Sequence, residues 1–126
     1  MLFEVATQKT LAQIEENLQA SAARHGFGII AVHNLKETMR KKGVDFAGEC
    51  LIFEVCNPHQ AKKVLEANGA ISTALPCRIS VYRSGAGYKL ATLLPTAVLA
   101  MFGNPELEPV AREVEDVILA MMKESA

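Results

Sequence analysis

Hydrophobic and polar residues follow two different periods along this chain, and these periods separate candidate strands from candidate helices. The runs from Leu2 to Ala6 and from Phe27 to His33 are short and largely apolar, which is typical of strands. Between them, Leu11, Ile14 and Leu18 recur at helical spacing among polar residues. This pattern predicts an amphipathic helix that buries one face.

The segment from Cys50 to Cys56 predicts a third strand, and a helix start follows it directly. Asn57 is a favoured N-cap residue, and Pro58 suits the first helical position. Further along, the runs from Arg78 to Arg83 and from Tyr88 to Leu93 flank a glycine-rich turn. We therefore expect a β-hairpin there.

A small helix after Asn34 and a final helix with an apolar stripe from Val110 to Met121 complete the predicted elements. No repeat, linker or change of composition divides them, so we expect residues 1–126 to form a single domain. The order of the elements predicts an α+β fold, in which a twisted antiparallel sheet carries the first and the last helix on one face.

The strand patterns also predict that the second face of this sheet is partly apolar. In the third strand, Ile52 lies between Cys50 and Glu54, so the strand lacks the clean alternation of a sheet with one wet face. Such a face needs a cover, which a second subunit, a ligand or the small helices could provide. Because symmetric dimers are the commonest soluble oligomers, we expect a homodimer.

Composition and charge narrow the range of partners. The 126 residues are 50% hydrophobic with a formal net charge of −1, so the chain lacks the broad positive field of a nonspecific nucleic-acid binder. No apolar run approaches the ~18 residues of a membrane span, and the N-terminus has no secretory pattern. We expect a cytoplasmic protein with three free thiols, and neither nucleic acid nor membrane as a partner.

Three short motifs, Cys56-Asn57-Pro58, Leu75-Pro76-Cys77 and Val81-Tyr82, resemble those of a known family. They are similar in type and spacing to the family called domain of unknown function 302, whose members are small prokaryotic proteins or modules. The resemblance runs over nearly the whole chain. It implies an α+β fold of the TATA-binding-protein-like kind, with the order strand, helix, four strands, helix. It also implies a dimer, but it implies no assigned chemistry.

Cys56 is the candidate residue with the clearest route to chemistry. It directly precedes the N-cap residue Asn57, so the positive end of the helix would stabilise its thiolate and raise its reactivity. Alternatively, Cys56 packs on Ala61 as a hydrophobic staple. His59 lies in the first helical turn, where it either meets Cys56 as a base or co-ligand or faces water.

Cys77 alternates with Ile79 and Val81, so we expect it to face the core, where a thiol behaves as a small hydrophobe. If the strands of Cys56 and Cys77 are neighbours, the two sulfurs could form a redox pair or half of a soft-metal site. The close cysteine spacing of zinc sites is absent, as are a phosphate-binding glycine loop and a nucleophile elbow. We therefore predict no metal and no cofactor.

These observations favour a non-enzymatic homodimeric module that binds a small ligand or a partner over its second sheet face. The candidate ligand or thiol site consists of Cys56, Asn57, His59 and Cys77, with no catalytic residue. One alternative is a thiol-based redox or sulfur-transfer protein that uses Cys56. Another is metal or haem binding through Cys56 and His59, with or without His33.

Overall fold

Five strands form one antiparallel sheet in the computed structural model, which describes residues 1–126. The strands are β1 (Leu2–Thr7), β2 (Gly28–Asn34), β3 (Cys50–Cys56), β4 (Cys77–Ser84) and β5 (Gly87–Leu93). Their spatial order is β1-β5-β4-β3-β2, so β4 lies at the centre and β1 and β2 form the edges. The predicted antiparallel α+β architecture is confirmed.

Five α-helices connect or follow these strands. They are α1 (Leu11–Arg24), α2 (Leu35–Lys41), α3 (Pro58–Ala67), α4 (Pro95–Ala100) and α5 (Glu108–Ser125). Two 3-10 helices, Gly69–Ala74 and Pro105–Leu107, follow α3 and precede α5. None of the helices is long and apolar enough to cross a membrane.

Local sequence signals set the ends of the helices. Thr10 Oγ1 accepts from the N–H of Gln13 at 3.2 Å, and Gln13 Oε1 accepts from the N–H of Thr10 at 2.9 Å, which is a complete capping box at the start of α1. Beyond the other end of α1, Gly26 has a φ of +74°, a conformation that costs glycine least.

The main core lies between one face of the sheet and the helices α1 and α5. Ile14 and Leu18 of α1, Ile118 and Met121 of α5, and Phe53 of β3 are all 0% exposed and belong to one hydrophobic cluster. Burial of such a side chain contributes ~1.5–3 kcal/mol. The prediction that the first and last helices share one face of the sheet is therefore confirmed.

A clamp joins the C-terminal ends of α1 and α5. The carboxylate of Glu124 accepts hydrogen bonds from Arg24 Nη2 and Ser21 Oγ, both at 2.7 Å, and its other oxygen lies 3.0 Å from His25 Nε2. The hydrogen bonds from Arg24, then Ser21 and His25, lower the pKa of Glu124 to about 2. Glu124 is therefore ionised over the whole physiological range.

A second, smaller hydrophobic cluster lies beyond the end of the sheet. Its buried members are Val64 of α3, Ile71 of the first 3-10 helix and Leu107 of the second. Leu99 of α4 packs against them. Val110, near the start of α5, also packs against this cluster.

The other face of the sheet, on which neither α1 nor α5 packs and which we call the helix-free face, carries Cys50, Ile52 and Glu54 of β3 and their partners on β4. On this face the Glu54 carboxylate lies 3.2 Å from His33 Nε2 and 3.7 Å from Arg78 Nε. The face thus mixes paired charges with apolar side chains.

Candidate functional site

A cavity of about 400 Å³ lies at the end of the sheet where β3 and β5 finish and β4 starts. Its size falls within the range of ~300–1,000 Å³ that is usual for small-molecule sites. Fourteen of the 21 lining residues are hydrophobic. The lining consists of Phe27, Val55, Cys56, Asn57, Gln60, Ala61, Val64, Leu65, Ser72, Ala74, Leu75, Pro76, Cys77, Arg78, Thr92, Leu93, Pro95, Val98, Leu99, Val110 and Val114.

This cavity separates the two hydrophobic clusters. On one side, Val55 belongs to the main core and Val114 packs against it. On the other side, Val64 belongs to the second cluster and Leu99 packs against it. Because protein interiors contain few voids larger than a water molecule, a space of this size is a distinctive feature of so small a domain.

The exposed lining residues mark where the cavity opens. Leu65 and Leu93 are 40% and 53% exposed, and the side chain of Arg78 is 55% exposed. Arg78 is the one charged residue of the lining, and its guanidinium lies beside Glu54 on the helix-free face. The rim thus combines apolar side chains with a single, already paired cation.

Three of the four site residues predicted from the sequence line this cavity. They are Cys56, Asn57 and Cys77, whereas His59 is exposed and outside the lining. Cys77 is paired with Val55 in the β3–β4 register, so the strands that carry the two cysteines are neighbours. Both cysteines are free thiols.

The start of α3 has no free backbone donor. Asn57 Oδ1 accepts from the N–H groups of His59 at 3.0 Å and Gln60 at 3.4 Å, and the N–H of Ala61 donates to the carbonyl oxygen of Asn57. Pro58, at the first helical position, has no N–H. The amides at this helix start therefore cannot bind an anion in the way that uncapped helix starts do.

Cys77 lies in an environment that disfavours charge. Burial raises the pKa of its thiol to about 11, and the neighbouring Cys56 has a smaller effect in the same direction. Because the thiolate is the reactive form, Cys77 is a protonated, weakly nucleophilic thiol at neutral pH. This agrees with the prediction that it packs as a small hydrophobe against the core.

Gln60 is the site residue that the sequence did not reveal. It lines the cavity, and its Oε1 is buried without a hydrogen-bond partner. A buried acceptor left unpaired costs ~1–3 kcal/mol, so such atoms usually meet a ligand or an ordered water. In the sequence Gln60 is one more polar residue of a first helical turn, and no pattern separates it from the others.

No group of three or more His, Cys, Asp or Glu side chains is arranged to hold a metal ion. His33, which the metal hypothesis includes, lies on the helix-free face beside Glu54 and is not part of the cavity lining.

Comparisons with known proteins agree with this fold. The crystal structure of an uncharacterized conserved protein DUF302 from Bacillus stearothermophilus is similar to this chain, with a TM-score of 0.93 and 29% sequence identity. The similarity covers 99% of this chain and 98% of that one. No curated protein matches this chain. A model of the family described as domain of unknown function DUF302 matches residues 3–125, and the chain therefore belongs to the DUF302 family.

Proposed function

We propose that this chain is a single-domain, non-enzymatic module that binds a small ligand in the cavity at the end of the sheet. The observation that carries this proposal is a largely apolar cavity of about 400 Å³ that contains the unpartnered Gln60 Oε1. An apolar ligand that fills it removes ~25 cal/mol of unfavourable hydration for each Å² of apolar surface buried. Apart from its two cysteines, the lining contains none of the usual general acids and bases, because it has no His, Asp, Glu, Lys or Tyr, which supports binding over catalysis.

The position of this site differs from the one predicted for the ligand. The sequence pattern places the ligand over the helix-free face, whereas the cavity lies at the sheet end and reaches the helix-free face only at its rim. Cys56, Asn57 and Cys77 nevertheless contribute to its lining. Three of the predicted residues thus support the proposal, although they line a cavity at the end of the sheet and do not lie under a ligand on its open face.

The test is to fill the cavity and to measure the binding of an uncharged apolar dye such as Nile red. Val64 is 3% exposed and lines the cavity, so Val64→Trp should abolish dye binding while the circular dichroism spectrum is retained. Ala61→Leu adds less volume at the same wall and should weaken binding if Val64→Trp does not fold. Val44→Trp, at a residue that is 53% exposed outside the cavity, is the control. Dye binding unchanged in both cavity variants would refute the proposal.

We also propose that the helix-free face is the contact surface of a homodimer. Support comes from the apolar residue Ile52, which lies on this face among polar residues. It is paired with Ser80 of β4, and the next residue of β3 on this face is Glu54, which forms an ion pair with Arg78. Ile52→Asp should convert the dimer to a folded monomer, as measured by light scattering at micromolar concentration. Val44→Asp introduces the same charge on an exposed apolar residue outside the sheet and should leave the mass unchanged. A monomeric native protein would contradict the proposal.

Thiol chemistry at Cys56 is the second candidate function, favoured by the presence of Cys56 and Cys77 in one cavity lining. It requires that Cys56 react with iodoacetamide faster than a free thiol at neutral pH, and equal or slower labelling of all three cysteines removes it. Metal or haem binding stays a prediction, which elemental analysis of untagged protein checks. The TATA-binding-protein-like description of the fold stays a proposal, supported by the order of strands and long helices.

A further inference from the structure

We propose that the ligand of this cavity is an uncharged, largely apolar molecule with one hydrogen-bond donor, which Gln60 Oε1 accepts. This inference rests on the proposed function, because it names the class of molecule that the same cavity binds. The class of ligand follows from the hydrogen bonds of the polar lining residues, among which one buried side-chain acceptor has no partner.

A charged ligand finds no counterpart inside the cavity. The N–H groups at the start of α3 are capped by Asn57, so they do not bind an anion. Arg78 lies at the rim with its guanidinium beside Glu54, and the lining contains no carboxylate that would hold a cation. Because an unpaired ion in an apolar site is strongly unfavourable, the cavity selects against ionised molecules. Burial also raises the pKa of the Cys77 thiol to about 11, which agrees with an environment that disfavours charge.

The polar groups of the interior leave one acceptor free. Thr92 Oγ1 donates to the carbonyl oxygen of Arg78 at 2.7 Å, Asn57 Oδ1 caps α3, and Ser72 is exposed at the rim. Gln60 Oε1 has no partner. A ligand hydroxyl or amide N–H that reaches it would satisfy an acceptor that an apolar molecule of the same shape leaves unpaired.

The test compares three probes with the same two-ring body: 2-naphthol, which has a donor, 2-methoxynaphthalene, which has none, and the anion 2-naphthoate. Their binding is followed by naphthyl fluorescence, to which a chain with no Trp contributes little background. We expect 2-naphthol to bind about tenfold more tightly than 2-methoxynaphthalene, which corresponds to ~1.4 kcal/mol, and 2-naphthoate to bind most weakly. Gln60→Leu should remove the preference for 2-naphthol, whereas Gln19→Leu on the exposed side of α1 should preserve it.

The outcomes separate this inference from the proposed function. Equal affinity of the two neutral probes for the native protein overturns the inference, while cavity binding stands. Tighter binding of 2-naphthoate overturns the uncharged class. A preference for 2-naphthol that persists in Gln60→Leu removes Gln60 as the acceptor. Failure of 2-naphthol to bind where Nile red occupies the cavity also overturns the inference. If Nile red binds Val64→Trp and Ala61→Leu as well as it binds the native protein, the proposed function is refuted, and the inference with it.

Discussion

Removal of the Asn57 side chain tests whether the cap of α3 holds the wall of the cavity in place. Asn57 Oδ1 accepts from two backbone N–H groups, those of His59 and Gln60. In Asn57→Ala both donors must bind water or remain unpaired, and the first turn of α3 loosens. Since Gln60 lies in that turn and lines the cavity, both the stability of the protein and its affinity for a cavity ligand should fall.

The expected magnitude follows from the capping energy and from what α3 buries. Replacement of an N-cap residue by alanine costs ~0.5–2 kcal/mol. We expect a loss in the upper half of this range for Asn57→Ala, because α3 packs the buried Val64 into the second cluster. Asn34 provides a matched comparison, since its Oδ1 caps α2 through the N–H of Glu37 at 3.0 Å. Because α2 has half-buried residues but none that is fully buried, its fraying loses less packing, and Asn34→Ala should fall in the lower half.

Urea unfolding followed by circular dichroism measures both losses, provided that the dependence on urea is the same for each variant. Asn57→Asp retains a good capping oxygen and should restore most of the stability and the Nile red affinity. Equal losses for Asn57→Ala and Asn34→Ala would refute the link between the cap and the packing of α3. Unchanged dye affinity in Asn57→Ala would refute the link between the cap and the cavity.

Three further predictions concern the clamp, the buried thiol and the close approach of two strands. The hydrogen bonds led by Arg24 lower the pKa of Glu124 from 4.5 to about 2, so they stabilise the fold above pH 4.5. The stability difference between the native protein and Glu124→Gln in urea should therefore be complete at pH 6 and shrink as the pH falls from 4.5 to 2. The pKa of Cys77 is raised to about 11 from 9.0, so iodoacetamide should label it at least ~100-fold more slowly in the folded protein than in the urea-unfolded protein at pH 7.5. Peptide mass spectrometry measures the two rates, and comparable rates would contradict the burial of Cys77. A Cβ on Gly87 would lie 2.4 Å from the backbone oxygen of Thr7, so Gly87→Ala should lower the free energy of unfolding by ~1–3 kcal/mol. Gly69→Ala meets no atom within 4 Å and should stay within ~0.5 kcal/mol; equal effects would show that β1 and β5 can move apart.

The features that sequence alone predicted are those encoded by neighbouring residues. The N-cap Asn57 and Pro58 at the first helical position each satisfy a backbone requirement within one turn, and both occur in the structure as predicted. In β3 the buried residues alternate strictly with half-buried ones, although the apolar Ile52 obscures this alternation in the sequence. The family could be predicted because its motifs are short and lie close to one another along the chain.

The cavity could not be predicted, because it depends on contacts between distant parts of the chain. Its walls combine the end of β3, the 3-10 helix Gly69–Ala74, α4 and the first turns of α5. The segment that forms α4 has a short apolar pattern that does not distinguish a helix from an apolar turn. Nor does any local pattern show that Gln60 Oε1 lacks a partner, since that depends on what every other segment leaves unfilled.

The separation of the two hydrophobic clusters indicates how a ligand in the cavity would change the stability of the protein. The second cluster has only three buried residues, and the cavity lies between it and residues of the main core. A ligand that binds there would contact Val64 and Val55 together and would supply apolar contacts that the chain itself does not make. Since binding to the folded state alone stabilises it by ~2.7 kcal/mol at a ligand concentration 100 times Kd, that stabilisation would concentrate in the elements around the cavity. A ligand bound there would thus add packing between the two clusters, at a place where the chain itself leaves a space of about 400 Å³.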